Sequence, residues 1–372
     1  MTRGSEGTRL LLVRTEDPLE SWLSFEDLFT EPDVASRILP RAESWLAAVA
    51  QELDRPDPKY PFSGGGFPVR LPPRLLEQAE ALYRRVWEAP GTNKHDAEHT
   101  LLSAIGFTVA PTSIPFWKVT VALSKARDGF AASRRRIAVA ALGFLAMRHP
   151  ESNAFAELEA LTHDPRPDVR MAAVDALATL ATVMEEKDRA LSARAVDVLR
   201  HAAAEEEAPF LSRFLARRFL ALRGERLPAW DQSLAIAFEV SFGRARRTIE
   251  LAAEQTLQDL HFAILSAFEW DADHLHLFSL NGDLDDPRFS IPGPDDIAPS
   301  PDDGGSEEES FPVGAMGLTV GHAFLYLYDF GDNNVFRIKV QDIHPKSPKV
   351  KYPRVTKTVG KTPDQYPESE LG

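Results

Sequence analysis

Three histidines and two aspartates in the last third of the chain have the types and spacing to do chemistry. His274 and His276 stand two apart, so a strand would turn both side chains to one face. His261 precedes them on a predicted helix, and Asp329 and Asp332 flank Gly331 in an acidic turn. Neutral imidazoles with a carboxylate are the donor set of zinc, manganese or iron. His261, His274 and His276 with an aspartate are therefore the candidate metal ligands of a hydrolase or nuclease. The spacing is far less specific than that of two histidines four apart on a helix. The competing reading is structural: His261 packs in the core, His274 and His276 make ordinary hydrogen bonds, and the aspartates satisfy backbone donors in a turn where Gly331 takes a positive φ. As general acid and base, Asp329 and Asp332 would need a cleft and shifted protonation equilibria. The structural reading is preferred, so no catalytic residue is assigned and no cofactor is expected, with a divalent metal as the alternative.

Other residues carry the same two readings. Trp270, Tyr326, Tyr328 and Phe330 would make a stacking platform, or at strand spacing would pack a sheet face. Arg213 and Arg217, four apart, share a helix face. With Arg218, Arg223 and Arg226 they form either a patch for an anionic partner or an ordinary solvated surface. Arg134-Arg135-Arg136 opens a helix, where the macrodipole disfavours cations, and so marks a contact. Gly64-Gly65-Gly66 lacks the Lys-Ser/Thr that closes a phosphate loop and is read as a plain loop.

These residues need elements to position them. Residues 1–110 read as a helical region broken by loops, with helices over Asp33 to Leu53, interrupted near Pro40, and Arg74 to Trp87. Residues 111–227 hold a repeat: the run Arg135 to Leu142 aligns with Arg170 to Leu177, 35 residues on, and with Arg213 to Leu220, a further 43 on. That is the period of stacked helix pairs, and the segment resembles a HEAT-type array. Its sharpest part is the turn from Asp164 to Arg170, which feeds a helix whose alanines let a neighbour approach closely. From Pro228 the period changes to two. Leu234, Ile236, Phe238, Val240 and Phe242 alternate with small or polar residues, and Gly243 separates this strand from a second over Arg247 to Leu251. Thr256 caps a helix to about Phe268, and strands follow over Leu275 to Leu280, Ala323 to Tyr328 and Val335 to Val340.

The totals bound the rest. A chain of 372 residues is expected to hold more than one core. The absence of cysteine excludes a disulfide framework, a thiolate nucleophile and sulfur-ligated zinc. No apolar run approaches the roughly 20 residues that span a bilayer, and the N-terminus lacks a signal peptide's apolar core, so a cytoplasmic protein with no membrane partner is expected. The net charge of −14 weighs against a dedicated nucleic-acid binder. Its distribution is uneven: ten carboxylates between Gly282 and Ser310 face only Arg288, and the stretch is read as an acidic flexible loop. A basic stretch follows, carrying Arg337, Lys339, Lys346, Lys349, Lys351, Arg354, Lys357 and Lys361.

Three blocks in the last third carry a resemblance. The first is Thr256-Leu257-Gln258-Asp259-Leu260-His261 with Phe268-Glu269-Trp270 and His274-Leu275-His276-Leu277-Phe278. The second is Tyr328-Asp329-Phe330-Gly331-Asp332, and the third is Tyr352-Pro353-Arg354 with Gly360-Lys361-Thr362-Pro363 and Gln365-Tyr366-Pro367. Over about Leu234 to Pro367 the chain resembles the Ri-plasmid open-reading-frame-three-like family, whose members are sometimes labelled TnpR-type proteins of mobile elements. The resemblance implies no established activity, and the clustered arginines that a serine or tyrosine recombinase needs around its nucleophile are not in this module. Family members commonly follow the acidic turn with a tryptophan and, two residues on, a histidine. Asn334 and Phe336 stand there in this chain, so a mechanism through that histidine does not carry over.

The expectation is therefore a multidomain chain: a helical N-terminal region, a HEAT-like α-helical solenoid, and over residues 228–372 an α+β domain, a mixed sheet with a helix packed on one face. The expected function is a non-catalytic interaction or scaffold protein. It would bind a protein partner through the helical region and use Trp270, Tyr328, Asp329, Asp332 and Arg354 as the module's binding residues. The alternatives are the metal-dependent hydrolase or nuclease above and a DNA-associated accessory protein using the basic stretch.

Overall fold

Apolar residues recurring every three or four positions build helices up to residue 222, and beyond it alternation builds strands with one further helix among them. The computed structural model describes residues 32–55, 71, 73–89, 94–123, 131–293 and 311–366. The Gly64-Gly65-Gly66 loop lies outside them. The chain divides into two compact units, Met1–Val196 and Asp197–Gly372.

In the first unit, α1 (Pro32–Glu52), α2 (Pro73–Glu88), α3 (Lys94–Thr108), α4 (Ile114–Leu123), α5 (Ala131–Arg148), α6 (Ala154–Leu161) and α7 (Pro167–Val183) follow one another, and α8 (Arg189–Ala204) runs on past its end. Helix α1 continues through Pro40 where the sequence suggested an interruption. One missing N–H donor does not outweigh the burial of Trp45, Leu46 and Val49 on the turns that follow. Helix α5 packs against α3, α4, α6 and α7. Ala138, Val139 and Leu142 of α5 and Ala173, Val174 and Leu177 of α7 are all buried. Gly143 meets Ala176 so closely that an added Cβ would lie 3.1 Å from the alanine Cβ.

The arginine run at the start of α5 finds intramolecular carboxylates. Arg134 is buried, bonded to Glu98 of α3 and seated over the Trp87 ring, and Arg135 Nε donates to Asp168 Oδ2 at 2.6 Å. The turn before α7 closes on itself: the Arg166 backbone N–H and Nε both donate to Asp164 Oδ1, which holds that carboxyl below its usual range.

The second unit carries α9 (Phe210–Leu222), the hairpin β1 (Leu234–Phe242) and β2 (Ala245–Ala252), α10 (Leu257–Phe268), then β3 (His276–Ser279), β4 (Ser290–Pro292), β5 (Ala323–Tyr328), β6 (Asn334–Pro345) and β7 (Arg354–Val359). The strands form one sheet in the order β4-β3-β5-β6-β1-β2-β7. Every pairing is antiparallel, so the expected mixed sheet is corrected. The pairs that are consecutive in both chain and sheet, β1–β2, β3–β4 and β5–β6, are joined without a helix, as antiparallel pairing allows. β4 and β7 went unread in the sequence because three residues, and a strand exposed along most of its length, leave no apolar alternation.

The inner face of the sheet carries Phe238, Val240, Ile249, Phe278, Phe324, Tyr326, Tyr328, Phe336 and Ile338, all buried, and α10 packs its Leu260, Ile264 and Phe268 against that side. The helix starts at Thr256, whose backbone N–H donates to Asp259 Oδ2 at 2.9 Å. Its far end is held by Arg247, which donates to the Ala267 carbonyl and to Thr362 Oγ1 with its guanidinium over the Phe268 ring.

The arginines of α9 are not a patch for anions. Arg213 and Arg217 are 4% and 6% exposed. Arg213 donates to the Glu206 and Gly317 carbonyls, and Arg217 to those of Ala203 and Ala315 at 2.8 Å each. Arg218 reaches the carbonyls of Pro287, Arg288 and Ser290. These guanidiniums satisfy backbone acceptors that irregular loops would otherwise bury unpaired. Within residues 282–293, Asp286 is paired to Arg288 and accepts from Asn281. Residues 294–310, the rest of the expected acidic loop, lie outside the described ones. Among the described residues no helix is long and apolar enough to cross a membrane.

Replacing Arg217 by alanine strands two buried carbonyls and should cost about 2–4 kcal/mol in urea unfolding. Arg136→Ala, at an exposed site of the α5 run, should stay within about 0.5 kcal/mol. Equal midpoints for the two variants would contradict the docking role of Arg217.

Candidate functional site

The inner face ends in polar aromatics, and each polar atom must find a partner. Trp270, just past the left-handed C-cap Glu269 of α10, packs on Phe242, Phe336 and Tyr328, and its indole N–H donates to the Pro363 carbonyl at 2.9 Å. The hydroxyl of Tyr328, at the end of β5, donates to the Asp271 carbonyl and accepts from the Asp273 backbone N–H at 3.0 Å. Asp273 then gathers the C-terminal segment: its Oδ2 accepts from the Tyr366 hydroxyl at 2.7 Å and its Oδ1 from Gln365 Nε2 at 3.1 Å. The tyrosine bond holds the Asp273 carboxyl below its usual range, and the same bond pushes the Tyr366 phenol up to about 12. Burial raises the phenol of Tyr328.

His274 lies in the loop before β3. Its Nε2 is 3.1 Å from the Tyr366 hydroxyl, 3.5 Å from Asp329 Oδ2 and 3.6 Å from Asp273 Oδ1. Asp329 shapes the acidic turn: its Oδ1 accepts from the backbone N–H groups of Gly331 at 2.8 Å and Asp332 at 3.3 Å. The left-handed residues there are Asp329, at φ 60°, and Asn333, at φ 54°, so Gly331 is not the one with positive φ. Aspartate and asparagine tolerate that region because a short polar side chain bonds locally. Gly331 serves instead by lacking a Cβ, which would lie 3.1 Å from Asp329 Oδ1.

The other two histidines go elsewhere. His261 and His276 stack inside the module with ring centroids 3.7 Å apart and planes 10° from parallel. They are 4% and 7% exposed. His261 Nδ1 hydrogen-bonds the Tyr326 hydroxyl at 2.7 Å, and a Cβ on Gly293 would overlap the His276 ring. Ring nitrogens bind a metal in the ring plane at about 2.0–2.1 Å, so two parallel stacked rings do not converge on one ion. His274 is set apart from the stack by its own loop contacts. Among the described residues no group of three or more histidine, cysteine, aspartate or glutamate side chains is arranged to hold a metal.

Of the expected binding residues, Trp270, Tyr328, Asp329 and Asp332 come together at this corner. Arg354 does not: it sits on edge strand β7, donating to Glu250 Oε2 at 2.7 Å. Residues 233–366 match the family model described as plasmid pRiA4b ORF-3-like protein. The matched region contains the sheet module and the whole of this corner, including Asp271, Asp273, Gln365 and Tyr366, which were not read as site residues. Gln365 and Tyr366 had a signal, the Gln-Tyr-Pro motif, whereas Asp271 and Asp273 look like ordinary loop carboxylates in sequence. A crystal structure of a protein of unknown function from Methanosarcina mazei Go1 is similar over 34% of this chain and 68% of that one, at 24% identity and a TM-score of 0.27. No curated protein matches the sequence.

Burial, with the neighbouring His276, pushes the His261 imidazole down to about 3, and burial pushes His322 down to about 4. Below the unfolded value of about 6.5 the unfolded chain takes up protons that the folded one refuses, so stability is full above that pH and falls as pH drops toward the folded values. Each group contributes a slope of about 1.4 kcal/mol per pH unit. Urea midpoints should fall between pH 7 and pH 5, and His261→Gln, which keeps a partner for Tyr326, should lessen the slope. An unchanged midpoint across that range would contradict the assignment.

Proposed function

We propose that this chain is a non-catalytic interaction protein whose C-terminal module recognises a partner bearing an apolar anchor flanked by lysine or arginine. The observation that carries the reading is the surface of the corner just described. Phe330 and Leu275 are 47% and 46% exposed. They are brought near each other by the bond from the Asp329 backbone N–H to the Leu275 carbonyl, 2.9 Å. Asp271, Asp273 and Asp332, all exposed, and half-buried Asp329 surround them, with half-buried His274 nearby. Exposed apolar side chains inside a rim of one charge sign are the makings of a recognition patch. The buried network beneath, from Trp270 to Tyr366, holds the loops in place, so the surface is pre-organised and little ordering is needed on binding.

A catalytic reading has less support. The histidines are divided between a buried stack and a surface loop, and the tyrosines near Asp273 are made harder to ionise.

The proposal extends to the helical unit as a HEAT-like pair of repeats that offers a second protein-binding surface. Its support is the burial of equivalent positions on α5 and α7 together with the cross-repeat bond from Arg135 to Asp168. The third sequence copy, on α9, departs from the pattern, because buried Arg217 stands where the others have Val139 and Val174.

The test is selection of a displayed random peptide library on the full chain. Peptides with an aromatic or aliphatic residue between basic ones should be enriched, and their affinity for Phe330→Ser should fall by about tenfold or more. No enrichment over the Phe330→Ser chain would overturn the proposal.

A further inference from the structure

The outer face of the sheet, opposite α10, carries a set of cations that form no ion pair among the described residues. Antiparallel register sets them in two rows. Lys339 of β6 lies opposite Glu239 of β1, which lies opposite Thr248 of β2, which lies opposite Lys357 of β7. Arg337, Ser241, Arg246 and Val359 make the next row. Arg246, Arg337, Lys339 and Lys357 are exposed, as are Arg244 in the β1–β2 turn and Lys361 just beyond β7. Gly360 packs on the Arg244 backbone, where a Cβ would be 2.9 Å from its carbonyl oxygen, so these two join the same end of the sheet.

Most other arginines of this unit are consumed. Arg213, Arg217, Arg218 and Arg247 are bonded to backbone carbonyls, and Arg288 and Arg354 to carboxylates. Among the described residues no ion pair engages Arg244, Arg246, Arg337, Lys339, Lys357 or Lys361, and half-buried Glu239 is the one carboxylate within the two rows.

We infer that this face binds the phosphate backbone of a single-stranded nucleic acid without reading its sequence. Charge complementarity carries the inference. Neighbouring strands stand about 4.8 Å apart and alternate residues about 6.8 Å apart along a strand, so the rows form a flat cationic grid that a flexible polyanion can follow. The cations lie on the broad face of a sheet, which a flexible single strand can follow more closely than a stiff duplex can. The two rows hold no aromatic side chain for bases to stack on, so the contribution is electrostatic and tolerant of sequence. The chain's net charge of −14 opposes the approach of any polyanion, which makes the local face decisive and the salt dependence steep. This inference does not rest on the acidic corner, which lies on other loops and would attract the opposite charge.

The experiment is fluorescence anisotropy of a labelled oligothymidylate of about 20 nucleotides with the full chain, between about 50 and 200 mM salt. Four to six phosphate contacts predict a log–log slope of roughly −3 to −4 for a single strand. The variant Arg246→Glu, Arg337→Glu, Lys339→Glu should lose about tenfold or more in affinity at the lower salt and flatten the slope by about 2. Milder Arg246→Gln, Arg337→Gln changes guard against misfolding and should show part of the loss. Reversal of exposed Lys187 and Arg189 on the helical unit should leave binding unchanged. No binding at low salt, or equal loss from the helical-unit control, would overturn the inference. So would a polyglutamate peptide that binds as tightly as the oligonucleotide and competes with it, since the face would then serve an acidic protein.

Discussion

Burying aromatic side chains that carry a polar atom forces every such atom to find a partner, and this requirement organises the sheet module. The inner face is rich in Phe, Tyr, Trp and His, among them Phe336, which touches Trp270, Phe268, Phe242 and Tyr326. Phenylalanine satisfies itself by packing alone. Tyr326, Tyr328, Trp270 and His261 do not, and an unpaired buried donor or acceptor costs about 1–3 kcal/mol. His261 and Tyr326 pair with each other, while Tyr328 and Trp270 draw their partners from loops: the 271–273 turn, itself bonded to Tyr366, and the carbonyl of Pro363. A packing need in the core thus fixes the conformation of a surface corner, and loops that would otherwise be free are held where exposed Phe330 and Leu275 can be presented.

The same logic runs through the arginines. A guanidinium has five donors in a rigid fork and meets irregular backbone well, because loop carbonyls point in several directions at once. Arg213, Arg217, Arg218 and Arg247 all serve in this way. Burial lowers the affinity of Arg217 for its proton to about 10, still far above neutrality, so the charge persists and strengthens each hydrogen bond. The consequence for charge is asymmetry. The inner cations are occupied by backbone, and those left available gather on the outer face of the sheet, while carboxylates collect at the corner beyond β5.

The histidines show how far spacing can mislead. His274 and His276 would share a face if both lay on one strand, yet the strand starts at His276. His274 is still in the loop, where it meets Asp273, Asp329 and Tyr366. His276 turns inward and finds His261, so the cluster that the spacing suggested becomes a buried stacked pair and a separate surface residue. Asp329 meets its expected role as a turn-former, although the left-handed backbone fell on Asp329 and Asn333.

Local pattern alone determined a good deal. It marked the change from helix to sheet, the β1–β2 hairpin around Gly243, the helix begun at Thr256 and the full extent of β5, because each depends on periodicity or a cap within a few residues. It also marked the three motif blocks of the module. Tertiary structure decided what local pattern does not encode: that all strand pairs are antiparallel, that β4 and β7 complete the edges, and that buried Arg213 and Arg217 tie α9 to Gly317 and Ala315 while half-buried Arg218 holds the 287–290 carbonyls. It decided too that Trp270, Asp273, Tyr328 and Tyr366, spread over almost a hundred residues, meet at one corner. Such meetings are set by which polar atoms the core leaves unsatisfied, and that is settled only when the whole sheet has closed over its helix.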